Sequence, residues 1–167
     1  MNIDKFTEKA QQAIVSAQGI AVHEEQQQVD GEHLHLALLT QSEGWIPRLL
    51  QFMGQNVSLI TEDLEGEIKR IPKVYGNGTG SIYASGRFNK ILLNANDNSK
   101  HFQDEYTGVE HLYLALLDER DTPSHKIFQQ YGINRENFLQ ALNKVRGNQR
   151  ITSQNPEETY DVIERYG

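Results

Sequence analysis

The sequence predicts an all-α domain made of two imperfect helical repeats related by a pseudo-twofold axis. Three observations support this prediction. Apolar residues recur at spacings of three and four, helix-capping residues flank those stretches, and one apolar motif occurs twice. No stretch alternates apolar and polar residues strongly enough to predict a strand.

The repeat is clearest in the motif Glu-His-Leu-His-Leu-Ala-Leu-Leu at residues 32–39. It returns as Glu-His-Leu-Tyr-Leu-Ala-Leu-Leu at residues 110–117, an offset of 78 residues (110 − 32). One copy would be small for a stable core, so the two are interpreted as a single domain at residues 1–147. Within it the sequence predicts repeat one at about 4–71, a glycine-rich linker at 72–86 and repeat two at about 87–146, followed by a connecting segment at 148–167.

In the first repeat, residues 4–24 carry an apolar face and predict the first helix. Asp30 is placed to cap the second helix, which contains the doubled motif. Gly54 follows an apolar helix at the position that favours a left-handed conformation. A further helix is predicted from about Ser58 to Ile71, because Pro72 cannot continue it.

In the second repeat, Thr107 and Glu110 have the spacing of a capping box, so a helix is predicted to begin after Thr107. Thr122 and Pro123 form a cap followed by proline at the first helical position. Gly132 ends that helix and Asn134 caps the next, which runs to Val145. A short last helix is predicted from Asn155 to about Tyr166.

Composition excludes several classes of protein. The apolar content of 37% and charged content of 23% are ordinary for a folded domain. The net charge of −7, without a basic stripe, makes nucleic acid an improbable partner. The chain has no cysteine, which fits a reducing cytoplasm, and its first residues do not resemble a signal peptide. The longest apolar run, residues 36–39, is too short to span a bilayer, so no membrane association is expected.

No catalytic or metal site is predicted. The glycine-rich stretch at 76–81 lacks the Lys-Ser/Thr of a phosphate-binding loop and is interpreted as linker. His33 and His35 point to different sides of a helix, and no His-Glu-x-x-His motif or thiolate accompanies them. His33 and His111 are therefore assigned capping or packing roles at helix starts. There is no Gly-x-Ser-x-Gly motif and no cysteine nucleophile.

Three segments together resemble a known family: Phe-Thr-Glu-Lys-Ala at 6–10, the doubled Glu-His motif, and the stretch from Arg146 to Glu157. They are similar to the N-terminal repeat domain of the Clp/Hsp100 unfoldases. The stretch from Arg146 resembles the junction that leads into the first ATPase module of ClpB-type disaggregases. The resemblance covers essentially the whole chain and implies a fragment that ends before the ATPase modules.

The resemblance implies two imperfect four-helix repeats, followed by a short linker helix. It implies a substrate-binding module of a homohexameric ATPase that extracts polypeptides from aggregates with a DnaK-type chaperone system. The fragment itself would need no cofactor and would be a monomer, while ATP and magnesium would be used by the parent's other modules. The expected setting is the cytoplasm, in the response to heat and other stress.

The resemblance also implies a substrate groove near the start of the first helix and the entry to the second Glu-His helix. Thr7, Asp104 and Glu110 match its polar positions, although each could instead serve a local structural role. Phe102 and Tyr106 could add apolar surface. Some relatives line the groove with apolar residues where this chain has polar ones, at Asn94, Asn98 and His111.

A second hypothesis from a different class is a module that docks adaptors or phosphoarginine tags, as in ClpC-type relatives. Glu32 and Glu110 stand at the positions that this resemblance implies, and carboxylates suit a guanidinium. A stand-alone enzyme is a third, weaker hypothesis.

Overall fold

The computed structural model describes residues 3–74, 82–147 and 149–156. Two sets of four helices make up the described chain, which confirms the predicted all-α architecture. Repeat one contains α1 (Glu8–His23), α2 (Gly31–Thr40), α3 (Trp45–Phe52) and α4 (Val57–Lys69). Repeat two contains α5 (Gly86–His101), α6 (Val109–Asp118), α7 (Pro123–Tyr131) and α8 (Arg135–Arg146).

Two short strands contradict the expectation of a strand-free chain. β1 (Gln28–Val29) and β2 (Tyr83–Ala84) pair in parallel, with Val29 opposite Ala84. Strands of two residues are too short for alternation to appear in the sequence. β2 lies in the predicted linker, and the last residue of that linker, Gly86, already belongs to α5, which Ser85 caps.

Most predicted helix caps are confirmed. Asp30 caps α2, Thr122 with Pro123 begins α7, and Asn134 caps α8. Gly132 ends α7 with a φ of +69°. The short last helix predicted from Asn155 falls almost wholly outside the described residues.

The capping box assigned to Thr107 and Glu110 is wrong. Gly108 is the residue before α6, and His111 takes the third helical position by accepting the Gly108 N–H at Nδ1, 2.8 Å away. Thr107 is held instead in a parallel bridge beside Phe6, where its N–H donates to the Lys5 carbonyl at 2.7 Å. Its hydroxyl donates to the Ser99 hydroxyl. The helix therefore begins one step later than the sequence pattern indicates.

Helices α2 and α6, which contain the doubled motif, are central to the core. Every residue from Gly31 to Leu39 and from Val109 to Leu116 is buried. The motif is apolar around most of the helix circumference, so the other helices can pack against it from several sides. Phe6 and Phe88, which lie near the starts of the two repeats, are both buried in the same core.

A hydrogen bond joins the two repeats at equivalent positions of the motif. His35 Nε2 lies 2.9 Å from the Tyr113 hydroxyl, and 35 + 78 = 113. His35 Nδ1 lies 2.9 Å from the Ser124 hydroxyl, so both ring nitrogens have partners inside the core. Burial lowers the pKa of His35 from 6.5 to about 3, because the charged ring would have no water around it.

This depressed pKa predicts a pH dependence of stability. Between about pH 3 and pH 6.5 the unfolded chain binds a proton at His35 that the folded chain does not, so His35 contributes stability that is lost as pH falls. In that range the free energy of unfolding of His35→Gln should change with pH less steeply than that of the unaltered protein, by ~1.4 kcal/mol per pH unit. Urea denaturation at several pH values measures both slopes. Parallel curves for the two proteins would contradict the assignment.

Candidate functional site

The predicted groove residues converge where α1, the α5–α6 connection and the end of α8 meet. Thr7 precedes α1, accepts the Ala10 N–H at 3.1 Å, and donates its own N–H to the Thr107 carbonyl. Asp104 lies three residues before Thr107, and Glu110 lies in the first turn of α6. The side chains of Asp104 and Glu110 have no exposed surface, and Thr7 is equally buried. None of these three polar side chains therefore faces solvent.

Asp104 is the centre of this arrangement. Its carboxylate accepts hydrogen bonds from His111 Nε2 at 2.9 Å, from Arg146 Nη2 at 2.6 Å and from the Ile151 N–H at 2.9 Å. Burial by itself would raise the pKa of Asp104. The three hydrogen bonds, together with the positive charge of Arg146, outweigh burial and lower that pKa below its ordinary value, so the side chain is a carboxylate.

The geometry fixes the tautomer of His111. Its Nδ1 accepts the backbone N–H of Gly108, so that nitrogen carries no proton. The ring proton is therefore on Nε2, from which it is donated to Asp104. The histidine predicted to have a capping role thus has one, and it also orients the buried carboxylate.

Arg146, the last residue of α8, was not among the predicted site residues. Besides Asp104, its guanidinium faces Glu110, with Nη1 3.5 Å from Oε2, and donates to the Gln149 carbonyl at 3.0 Å. It also lies over the ring of Phe102, 5.5 Å from the centroid, as a cation–π contact. The sequence signal was a basic residue in the last turn of a helix, which ordinarily indicates only a favourable interaction with the helix dipole.

We refer to the four side chains Asp104, Glu110, His111 and Arg146 as the charged cluster. The remaining predicted residues surround it. Phe102 packs against His111 with ring centroids 5.6 Å apart, and both Phe102 and Tyr106 are half-buried.

The polar positions on α5 differ from one another. Asn94 is half-buried. Asn98 is buried and accepts a hydrogen bond from Arg135 at 3.1 Å. Within the described part of the chain its Nδ2 donor has no hydrogen-bond partner. A buried amide donor without a partner is costly, so Asn98 lowers the stability of the packing around α5.

The C-terminal segment, residues 149–156, covers the charged cluster. Ile151 is fully buried and places its Cδ1 over Gly108, 3.1 Å from where a Cβ at that glycine would lie. The Ile151 carbonyl accepts the Glu105 N–H at 2.8 Å, and the Gln154 carbonyl accepts the Glu8 N–H at 2.9 Å. The segment thus crosses from the α5–α6 connection to the start of α1 through main-chain hydrogen bonds.

Repeat one contains an equivalent capping histidine whose partner is uncharged. His33 accepts the Asp30 N–H at 2.9 Å and contacts Gln26 Oε1 at 2.6 Å, as His111 does with Gly108 and Asp104. Subtracting the offset, 104 − 78 = 26 and 146 − 78 = 68, so Gln26 replaces the aspartate and Ile68 replaces the arginine. Gln26 bonds to the Ile68 carbonyl at 2.8 Å. A neutral amide needs no buried cation, so the charged cluster is particular to repeat two.

The two carboxylates of the alternative tag site lie at separate helix starts, and each faces an arginine of this chain. Glu110 faces Arg146. Glu32 and Asp30 each lie 3.7 Å from Arg87, whose side chain is about one-third exposed. Burial raises the pKa of Glu32, as does the charge of Asp30, while Arg87 partly offsets both.

None of the helices within the three described ranges combines the length and apolarity that a bilayer span requires. Nor do these ranges contain a group of three or more His, Asp or Glu side chains positioned to hold a metal ion.

The fold is all-α and consists of two four-helix repeats, and the same Glu-His motif begins one helix in each repeat. These features define a class of helical repeat domains. The chain belongs to the family of Clp repeat N-terminal domains, whose model matches residues 5–131. Over its full length the chain is 45% identical to chaperone protein ClpB of Nitratidesulfovibrio vulgaris and 40% identical to that of Bacillus cereus. The resemblance to ClpB-type domains is therefore confirmed.

The chain covers 20% and 19% of those two relatives, or about one fifth of their length. Among solved structures it is similar to the Hsp104 N-terminal domain from Candida albicans, with a TM-score of 0.79 and 22% identity over 90% of this chain and 97% of that one. A complex of the ClpV N-domain with VipB peptide has a TM-score of 0.62 and 16% identity, over 84% of this chain and 86% of that one. At these identities the structures show the shared fold.

The charged cluster predicts a large effect of removing its cation. Arg146→Met leaves two buried carboxylates without a counter-charge, so the free energy of unfolding should fall by about 3–5 kcal/mol. Arg70→Met is the matched control, because Arg70 pairs with Glu67 on the exposed surface of the chain and should change stability by less than ~1 kcal/mol. Urea denaturation measures both. Equal effects of the two substitutions would argue against a structural role for the cluster.

Proposed function

We propose that this domain captures unfolded or aggregated polypeptide segments for an ATP-dependent disaggregase. Its similarity, over the whole of this chain, to about one fifth of the length of ClpB chaperones supports this function, and a ClpV N-domain of the same fold occurs in complex with a peptide. The proposed site is the surface bounded by the start of α1 and the α5–α6 connection, where Thr7, Phe102, Asp104, Tyr106 and Glu110 lie.

The observation that carries the proposal is that a segment of the same chain binds along this surface. Residues 149–156 are held there by the main-chain N–H groups of Glu8 and Glu105 and by the Asp104 carboxylate. These groups bond to any extended backbone, whatever its side chains, and a module for unfolded clients of many sequences needs that property.

Weak binding is expected from this geometry. An unfolded segment loses conformational entropy when it is captured, and a surface with few main-chain hydrogen bonds recovers only part of that loss. Six copies of the domain in a hexameric parent would increase the overall affinity through avidity. In this proposal the isolated domain is a monomer that needs no cofactor.

The parent protein would supply the chemistry. We propose that it hydrolyses ATP with magnesium in modules outside this chain, cooperates with a DnaK-type chaperone system, and works in the cytoplasm during heat and other stress. Its hexamer would thread the captured segment, and this domain would make the early contact.

The first measurement is an NMR titration of the labelled domain with unfolded casein. Chemical shifts should change at Thr7, at the start of α1 and from Phe102 to Glu110. Tyr106→Ser should weaken binding by about 3–10-fold, because half-buried aromatic residues commonly dominate such contacts. Tyr83→Ser, at a half-exposed tyrosine on β2, is the matched control and should bind like the unaltered domain. Absence of shifts at high casein concentration would refute capture by the isolated domain.

A second candidate function is the docking of an adaptor or a phosphoarginine tag. The observation that favours it is the pairing of buried Glu32 with the partly exposed Arg87 at a long distance of 3.7 Å, because a ligand guanidinium could replace such a partner.

Phosphoarginine distinguishes the two functions. Under the capture proposal, free phosphoarginine should leave bound casein in place, and Glu32→Gln should bind casein with unchanged affinity. Under the docking hypothesis, phosphoarginine should displace casein and Glu32→Gln should abolish that displacement. Competition measured by fluorescence anisotropy separates these outcomes.

A further inference from the structure

The proposed client surface is already occupied by part of the same chain. Thr7, Asp104 and Glu110 are buried, and the C-terminal segment crosses the surface beside them. A client can reach these groups only after residues 149–156 have moved away. The site is therefore a surface for which two extended segments compete.

The segment lies apart from the core of the helices. Ile151 is fully buried, but it lies outside the continuous hydrophobic core that the eight helices share. Pro156 is also buried, Gln154 is half-buried, and Thr152, Ser153 and Asn155 are exposed. Segments with little buried apolar surface open locally at much lower free energy than the core.

The contacts also define what can replace the segment. Ile151 fits a recess over Gly108, where a glycine leaves room for a branched aliphatic side chain. The residue in this recess must donate its N–H to Asp104 and offer its carbonyl to Glu105. Three residues further on, a carbonyl must accept the N–H of Glu8, a first-turn helix donor that has no partner within the helix.

From these contacts we infer that residues 149–156 act as a built-in competitor, and that the client which displaces them is an extended segment with a branched aliphatic side chain in the Gly108 recess. This inference rests on the proposed capture function. Because the competitor is joined to the domain, its effective concentration is high, and only the fraction of molecules with the segment released binds clients. Proline is excluded from the recess position because it has no N–H to donate.

The test uses the full chain and compares Ile151→Ser, which loosens the segment, with Thr152→Ala, an exposed control in the same segment. If the segment is docked about nine-tenths of the time, Ile151→Ser should bind unfolded casein about tenfold more tightly than the unaltered protein. Thr152→Ala should match the unaltered protein. A synthetic peptide copying residues 149–156 should bind Ile151→Ser more tightly than the unaltered protein, and a copy with aspartate in place of isoleucine should not.

Hydrogen exchange is measured on the unaltered protein, so its result does not depend on whether a substitution impairs folding. The Ile151 amide should exchange faster than the amides of α2 and α6. Adding casein should remove its remaining protection while the Glu105 amide stays protected, because a client carbonyl replaces that of Ile151. Protection of the Ile151 amide equal to that of the core helices would overturn the inference.

The outcomes distinguish the inference from the function on which it rests. If all three proteins bind casein with equal affinity and casein leaves Ile151 exchange unchanged, the competitor role fails while capture stands. If none binds casein, the capture proposal fails, and tight binding of the copied peptide to Ile151→Ser alone would still support exchange of the segment.

Discussion

The buried carboxylate of Asp104 is the constraint on which this end of the molecule depends. A charge without water around it must be compensated where it lies, and its partners come from three different parts of the chain. His111 belongs to α6, Arg146 ends α8, and Ile151 lies in the C-terminal segment. Satisfying one side chain therefore fixes how two helices and the segment meet.

In each repeat a histidine caps the helix that carries the Glu-His motif, but the side chain that bonds to this histidine differs between the repeats. In repeat one, the amide of Gln26 meets His33 and a backbone carbonyl, so the position that matches Asp104 carries no charge. In repeat two, the aspartate at the matching position requires a buried arginine and leaves room for a backbone N–H from a separate segment. The differences between the repeats, Asp104 in place of Gln26 and Arg146 in place of Ile68, therefore accompany the docking of residues 149–156 on repeat two.

This difference between the two repeats is relevant to the proposed capture of unfolded polypeptides. A surface that binds through main-chain groups is indifferent to most client side chains, which suits unfolded polypeptides. Occupation by a segment of the same chain keeps buried polar groups satisfied when no client is present, and otherwise they would be costly. In the proposed capture function, this occupation would also keep the affinity for clients low.

The helices, most of their caps, the internal repeat and the family can all be predicted from the sequence. These features depend on spacings of three or four residues or on a motif at a fixed offset, so they are visible without the fold. Only the folded chain shows where α6 begins, what Arg146 and Ile151 contact, and that His35 bonds to Tyr113. The partners in these contacts lie 42, 47 and 78 residues apart along the chain. The parallel bridge that holds Thr107 similarly joins it to Phe6, in the first repeat. No local pattern records such pairs, because they form only when the packing of the core brings distant segments together.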